Sequence, residues 1–286
     1  MTSSERSRVA LETAFLTSGL PADVRLEVAG DMATAVREDG ARPTFIGVLE
    51  GEPIDGLKPE DLIRLAGSGT KLSTRDLPTA IAAGGSGGTT VAATLFLAHR
   101  AGITVMATGG IGGVHRGTGS PDVSADLIEL SRTPAVLVCS GAKAILDLPA
   151  TVEKLETLGV TCIGFGTDEW PGFWTVSSGI GLGQSVDNAE QVAATWRESR
   201  RLALPGALLV CVPPPAEHAL TEGESARAVE RALADARAEG VEGPKLTPFL
   251  LDRIVAHTDG RSLAANRDLL VNNARVAASI ASAIGN

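Results

Sequence analysis

Apolar and polar positions along the chain fall into short blocks of two kinds. Val9-Ala-Leu11, Thr44-Phe-Ile-Gly-Val-Leu49, Thr104-Val-Met-Ala107, Ala135 to Cys139, Val160 to Phe165 and Ala207 to Val212 are nearly continuous apolar runs. Such runs predict strands buried on both faces of a parallel sheet. Between them lie stretches with helical periodicity. These are Ala22 to Arg37, Pro59 to Ala66, Leu77 to Ala83, Val91 to Ala101, Asp147 to Leu158, Asn188 to Arg201, Ser225 to Glu239, Pro248 to His257 and Leu263 to Ile284. Ser120-Pro121-Asp122 has the chemistry of an N-cap, N1 and N2, predicting one more helix to about Ser131. Glu50-Gly51 before Glu52-Pro-Ile54 predicts a hairpin. Strand and helix alternate throughout, with no linker or repeat to divide them. The expectation is an α/β sandwich with a largely parallel sheet, one domain spanning residues 1–286.

One stretch organises the rest. Thr104-Val-Met-Ala-Thr-Gly-Gly-Ile-Gly-Gly-Val-His-Arg-Gly117 starts as a buried strand and breaks into five glycines around one histidine and one arginine. Open α/β sheets bind ligands at the carboxyl ends of their strands. Glycines there let backbone amides approach a ligand or take positive φ. The loop is not a strand–G-x-G-x-x-G–helix unit and lacks a phosphate-loop lysine, so it is weak as a nucleotide motif.

Charge narrows the ligand class. The chain carries 25 basic and 34 acidic residues, a net charge of −9, with no basic stripe, which argues against nucleic acid. A small anion remains compatible, because helix N-termini and local cations can hold one. No apolar run reaches membrane-spanning length, and the polar N-terminus lacks a signal-peptide core; the expectation is a cytoplasmic protein. Cys139, Cys162 and Cys211 are isolated within apolar runs and read as buried reduced thiols. Only five of the 25 basic residues are lysines: Lys58, Lys71, Lys143, Lys154 and Lys245. A lysine in a glycine-rich setting of such a chain calls for a reason, since only lysine becomes a neutral amine nucleophile at accessible cost.

Four groups of residues can carry chemistry, each with a plainer alternative. Thr89 and Thr90, beside Gly87 and Gly88 at a helix start, suit a phosphate, or form an ordinary interhelical turn. Asp122 and Asp126, four apart at a helix start with Ser124 between them, suit a hard divalent cation, or merely complement the helix dipole. Lys143 follows a core strand in Ser-Gly-Ala-Lys, where desolvation or a neighbouring cation would free its lone pair. The alternative, a surface lysine at a helix start, is electrostatically poor. Lys71, in the turn-rich Ser68 to Pro78 segment, raises the same question. Glu12, ending the strand Val9-Ala-Leu-Glu, is placed for acid–base work, or is only the first exposed residue after the strand. His115 suits a ligand or a loop brace. His99, His218 and His257 have no partners at ligand spacing. Trp170, Phe173 and Trp174 cover a pocket or an interface, or simply pack the core.

Ala-Thr-Gly-Gly-Ile-Gly-Gly-Val-His-Arg-Gly (107–117), Asp-Val-Ser-Ala-Asp-Leu (122–127), Gly-Ala-Lys-Ala-Ile-Leu-Asp (141–147), Thr-Pro-Phe-Leu-Leu (247–251) and Asp-Gly-Arg-Ser-Leu-Ala-Ala-Asn (259–266) resemble the pseudouridine-5′-phosphate glycosidases, the indigoidine-synthase A-like proteins. The resemblance covers nearly the whole chain. It implies reversible cleavage of the C–C bond joining uracil to ribose 5-phosphate, in a three-layer α/β/α sandwich with a central, largely parallel mixed sheet, assembled as a homotrimer. By resemblance, Lys143 attacks C1′ and opens the ribose to an imine, and Glu12 protonates the base carbon. Asp122 anchors Mn²⁺ or another divalent cation through water. Lys71, Val91 and the segment Ser124, Ala125 and Asp126 hold the sugar phosphate. His115 lies beside the ring and Asn266 reads the base.

The departures sit on the base side. The family's first motif usually carries Ser-Thr after the glutamate and a histidine further on; here these are Thr13-Ala14 and Ser18, and Ala-Asn-Pro after the late strand is Cys211-Val-Pro213. Phe15 and Leu16 lean toward a more apolar base pocket. The alternative is therefore a C-glycosynthase that joins ribose 5-phosphate to an aromatic carbon acceptor in natural-product biosynthesis. A non-catalytic sugar-phosphate-binding protein is disfavoured, because nucleophile, acid and metal ligand are all retained.

Overall fold

The computed structural model of the chain describes residues 7–17, 20–116, 122–241 and 246–285. In chain order the elements are β1 (Arg8–Leu11), α1 (Ala14–Thr17), α2 (Arg25–Glu38), β2 (Arg42–Leu49), β3 (Glu52–Asp55), α3 (Pro59–Ser68), β4 (Lys71–Leu72), α4 (Leu77–Ala82), β5 (Gly87–Thr89), α5 (Val91–Arg100), β6 (Val105–Ala107) and β7 (Val114–His115). They continue with α6 (Ala125–Arg132), β8 (Val136–Cys139), β9 (Leu146–Asp147), α7 (Leu148–Thr157), β10 (Thr161–Phe165), β11 (Ser185–Val186), α8 (Ala189–Arg201), β12 (Leu208–Cys211), α9 (Glu222–Glu239), α10 (Leu246–His257) and α11 (Arg261–Gly285).

The apolar runs become the middle of one ten-stranded mixed sheet, ordered β11-β10-β12-β8-β6-β1-β2-β5-β4, with β3 on β2. Every pairing from β11 through to β2 is parallel. The antiparallel part is the β2–β3 hairpin and the β2–β5 pair. Val136–Cys139 and Leu208–Cys211 are buried at every position, as strands covered on both faces must be. Helix α11 packs on α2 and α8 and lies over β1, β6 and β8, while α5 packs with α6 and lies over β1 and β2. The sheet is thus covered on both sides, the three layers expected. Glu50 and Gly51 both take positive φ, 51° and 81°, as a two-residue hairpin turn requires.

Two local expectations are corrected. The glycine-rich stretch after α4 is not all loop: Gly87–Thr89 form β5, which crosses so close to the first strand's end that a Cβ on Gly88 would stand 2.4 Å from the Thr13 carbonyl oxygen. The helix expected from Ser120 instead begins at Ala125, capped by Ser124, whose Oγ accepts from the Asp126 N–H. Ser120 and Pro121 lie outside the described residues. Asp122 and Val123 are drawn into antiparallel contact with the glycine loop: His115 N–H donates to Asp122 O, Val123 bridges Val114, and Ser124 N–H donates to Gly113 O. Those bonds hold the segment extended, so Asp122 and Asp126 do not share a helix face.

Candidate active site

The sheet order sets β1, β6 and β8 side by side, so the residues leaving their carboxyl ends meet. Glu12 follows β1, Thr108 follows β6, and Ser140 to Lys143 follow β8. The loops stay laced beyond the sheet edge: Thr108 N–H donates to Val138 O, Ser140 N–H to Gly109 O, Ile111 N–H to Gly141 O and Lys143 N–H to Ile111 O. Above this edge lies a cavity of about 560 Å³ lined by Glu12, Lys71, His115, Asp122, Lys143 and Asn266. It continues into a second lobe of about 550 Å³, which shares all of these but Asn266 and adds Thr90, Val91, Ser124, Ala125, Asp126 and Lys154. Every candidate residue except Thr89 therefore lines one cleft. Thr89 is fully buried instead; its hydroxyl donates to Ile46 O and meets Thr94 Oγ1, and its N–H donates to Thr13 Oγ1. It pins β5 to β2 and faces no ligand.

The side chains fall into two electrostatic groups. Glu12 is 6% exposed, and burial raises its carboxyl above the ordinary value, opposed by the Lys143 charge and by the hydrogen bond from Thr108 Oγ1. Burial thus shifts this carboxyl toward its neutral form relative to a free glutamate. Lys71 is exposed and lines the cleft. Its ammonium is nonetheless pressed below the usual lysine value, first by desolvation and then by the Lys143 charge, against Asp126 and Glu12. The two lysines are thus near enough to feel each other.

The glycines of the central loop serve close packing. None of Gly109, Gly110, Gly112 or Gly113 has positive φ. A Cβ on Gly112 would lie 2.3 Å from Ser124 Oγ, and one on Gly113 would lie 2.3 Å from Thr151 Oγ1. This approach lets Asp126 clamp two backbones at once. Its Oδ2 accepts from Gly112 N–H at 2.8 Å and its Oδ1 from Ala92 N–H, in the first turn of α5, at 2.9 Å. The clamp brings the N-termini of α5 and α6, at Val91 and Ala125, to the same lobe, where positive helix ends favour an anion. The Asp126 carboxylate itself is already committed to these amides.

The other lobe has one apolar wall, formed by Phe15, Leu20, Phe173, Leu251 and Leu270, with Asn266 among them. Phe173 lines the cavity with φ 68°, a left-handed conformation held by its N–H donating to Ser140 O at 3.1 Å. Trp170 and Trp174 are core residues. Ser18, at the family's histidine position, lies outside the described residues. His218 and His257 pair with Asp268 and Asp235 away from the cleft. The thiols are inert: Cys139 and Cys211 are buried register partners, and desolvation pushes Cys162 up to about 12. Among the described residues no three His, Cys, Asp or Glu side chains cluster as a ready metal cage, and no helix is long and apolar enough to cross a membrane.

Several further residues border or brace the site. Thr108, Ser140 and Asn273 are fully buried polar residues behind the cleft, and nothing in their spacing marks them. Lys154 was one of only five lysines, a signal that pointed to it without a place.

Comparison with known proteins finds relatives that span the whole chain and share its fold. A family model described as indigoidine synthase A-like protein matches residues 1–283. The pseudouridine-5′-phosphate glycosidase of Chloroflexus aurantiacus is 52% identical over 283 residues, covering 96% of this chain and 93% of its own. An indigoidine synthase A-like protein from Thermotoga maritima, of known crystal structure, superimposes with a TM-score of 0.92 at 38% identity, covering 99% of this chain and 95% of that one. The prealnumycin C-glycosynthase AlnA, solved in complex with ribulose 5-phosphate, has a TM-score of 0.90 at 35% identity, covering 98% and 92%.

Proposed function

The chain belongs to the indigoidine synthase A-like family, and from that premise we propose that it is a C-glycosidase that converts pseudouridine 5′-phosphate and water to uracil and ribose 5-phosphate, reversibly. The observation that carries this reading is the meeting of a buried Glu12 and Lys143 in a cleft whose other end gathers two helix N-termini and Lys71.

A C-glycoside cannot leave by protonation of a heteroatom, so the sugar must supply the electron sink. The Lys143 amine forms a bond to C1′ as the C1′–O4′ bond breaks, and O4′ takes the proton that the nitrogen gives up. The nitrogen lone pair then forms a C=N bond as the C1′–base bond breaks, and Glu12 delivers its proton to the released base carbon. Water hydrolyses the imine, freeing Lys143 and an open-chain sugar that recloses. The phosphate lies against the Val91 and Ala125 helix starts and Ser124, with Lys71 as counter-charge. His115 flanks the ring, and Asn266 hydrogen-bonds the base.

The donor set suits a hard divalent cation such as Mn²⁺. Asp122 offers an exposed carboxylate to both lobes, leaving the remaining positions to water and substrate oxygens. When bound, such an ion neutralises charge on the sugar and disfavours protonation of neighbouring amines. We extend the reading to a protein of the cytoplasm and to a homotrimer, the latter tested by light scattering on the purified protein.

The decisive experiment incubates the protein with Mn²⁺ and pseudouridine 5′-phosphate and follows uracil. No turnover by folded protein refutes this reading and raises the second, a C-glycosynthase joining ribose 5-phosphate to an aromatic carbon. The apolar wall of Phe15, Leu20, Phe173, Leu251 and Leu270 favours that second reading. A mere sugar-phosphate-binding protein would have no use for the Glu12–Lys143 pair.

A further inference from the structure

Glu12 has a hydrogen-bond partner to which the reaction above gives no part. Thr108 is fully buried one residue past β6, and its Oγ1 donates to Glu12 Oε1. Among the described residues it is the only hydrogen-bond donor to that carboxyl. Thr108 is itself held. Its N–H donates to Val138 O at 3.0 Å, and its carbonyl accepts from Asn273 Nδ2 at 2.9 Å. Asn273, fully buried on α11, also reaches Ser140 Oγ at 3.1 Å, at the root of the Lys143 loop. Glu12's own backbone is fixed next door, where Thr13 N–H donates to Thr89 O and Thr13 Oγ1 to Ile46 O.

The geometry points to Thr108 as the positioning residue of the general acid: by engaging Oε1 it leaves Oε2 to carry the proton toward the cleft, and Asn273 holds it in register with the Lys143 loop. This rests on the reading of Glu12 as the acid. A hydroxyl donor on Oε1 occupies the lone pair on that side, so the acidic proton resides on the other oxygen. The bond also tunes the acid. Burial raises Glu12, and a donor stabilising its ionised form keeps the proton from being held too tightly to transfer. The charged or titratable groups facing Glu12 are Lys143 beyond β8, Lys71 on β4, Asp126 on α6, and His115 with Asp122 across the cleft.

The test replaces Thr108 with valine, which keeps the shape and removes the O–H, and with serine, which keeps the O–H. ¹³C NMR titration of the glutamate carboxyls, with Glu12 assigned by its absence in Glu12→Gln, reads the acid directly and needs no turnover. In Thr108→Val the Glu12 midpoint should rise by about one pH unit, and in Thr108→Ser it should stay at the wild-type value. The alkaline limb of kcat for uracil release should move up with it, at unchanged KM. A merely structural threonine would lower Tm and kcat at every pH without moving the midpoint, and an unmoved midpoint in Thr108→Val overturns the inference. If valine prevents folding, Thr108→Ala gives the same reading. Failure of the wild type to release uracil refutes the glycosidase reading alone, because the titration still decides the Thr108 pairing. Full turnover in Glu12→Gln removes the acid assignment and this inference with it.

Discussion

Asp126→Asn tests whether the carboxylate at the start of α6 is a structural clamp or an electrostatic opponent of the bound phosphate. Asp126 is 6% exposed and accepts from Ala92 N–H at 2.9 Å and Gly112 N–H at 2.8 Å. Asparagine keeps one acceptor oxygen, so one of the two amides must face an NH₂ group and loses its partner. Losing one charge-assisted bond and leaving a buried N–H unpaired costs roughly 2–4 kcal/mol. For a chain of 286 residues that lowers Tm by about 3–7 °C. Urea unfolding monitored by circular dichroism gives the stability, and steady-state uracil release gives KM. The clamp positions Gly112 and the Val91 end of α5, so KM for the sugar phosphate should rise about tenfold, equivalent to roughly 1.4 kcal/mol. A variant as stable as wild type with a lower KM would refute the clamp, showing that the charge mainly repels phosphate.

Lys143→Ala should abolish uracil release, and borohydride treatment with ribose 5-phosphate should add sugar mass to the wild type but not to this variant, by peptide mass spectrometry. Because burial raises Glu12, its neutral form persists above the ordinary carboxylate range; the linked stability is present at low pH and lost as pH rises through the native pKa. Cleavage should therefore decline on the alkaline side, and Glu12→Gln should flatten both the rate profile and that part of the unfolding profile. Gly88→Ala should destabilise by about 1–3 kcal/mol, because its Cβ would stand 2.4 Å from the Thr13 carbonyl oxygen; kcat should fall too, since Thr13 anchors Glu12, and an unaffected Tm would contradict the close crossing. Chelation with EDTA should stop turnover, with Mn²⁺ restoring it; full activity after exhaustive chelation would remove the proposed cation.

By itself the sequence determined the buried parallel strands, the helices between them and the residues at their carboxyl ends, because hydrophobic period and chain order are local properties. That information sufficed to nominate Glu12, Lys71, Asp122 and Lys143, and to associate the long motifs with a family. Tertiary structure decided which strand ends are neighbours: β1, β6 and β8 are far apart in the chain yet adjacent in the sheet. It also decided the fate of polar residues whose partners are remote. Thr89 looked like a phosphate ligand by its helix start but is consumed by β2 and Thr13. Asp126 suited a cation or the helix dipole by its spacing, but it holds two backbones together. Asp122 left its expected helix because the glycine loop offered its backbone better partners. Thr108 and Asn273 carried no local signal at all, since their hydrogen bonds span 96 and 165 positions of chain. A buried polar group must find its partner wherever the fold brings one, and no window of sequence contains that choice.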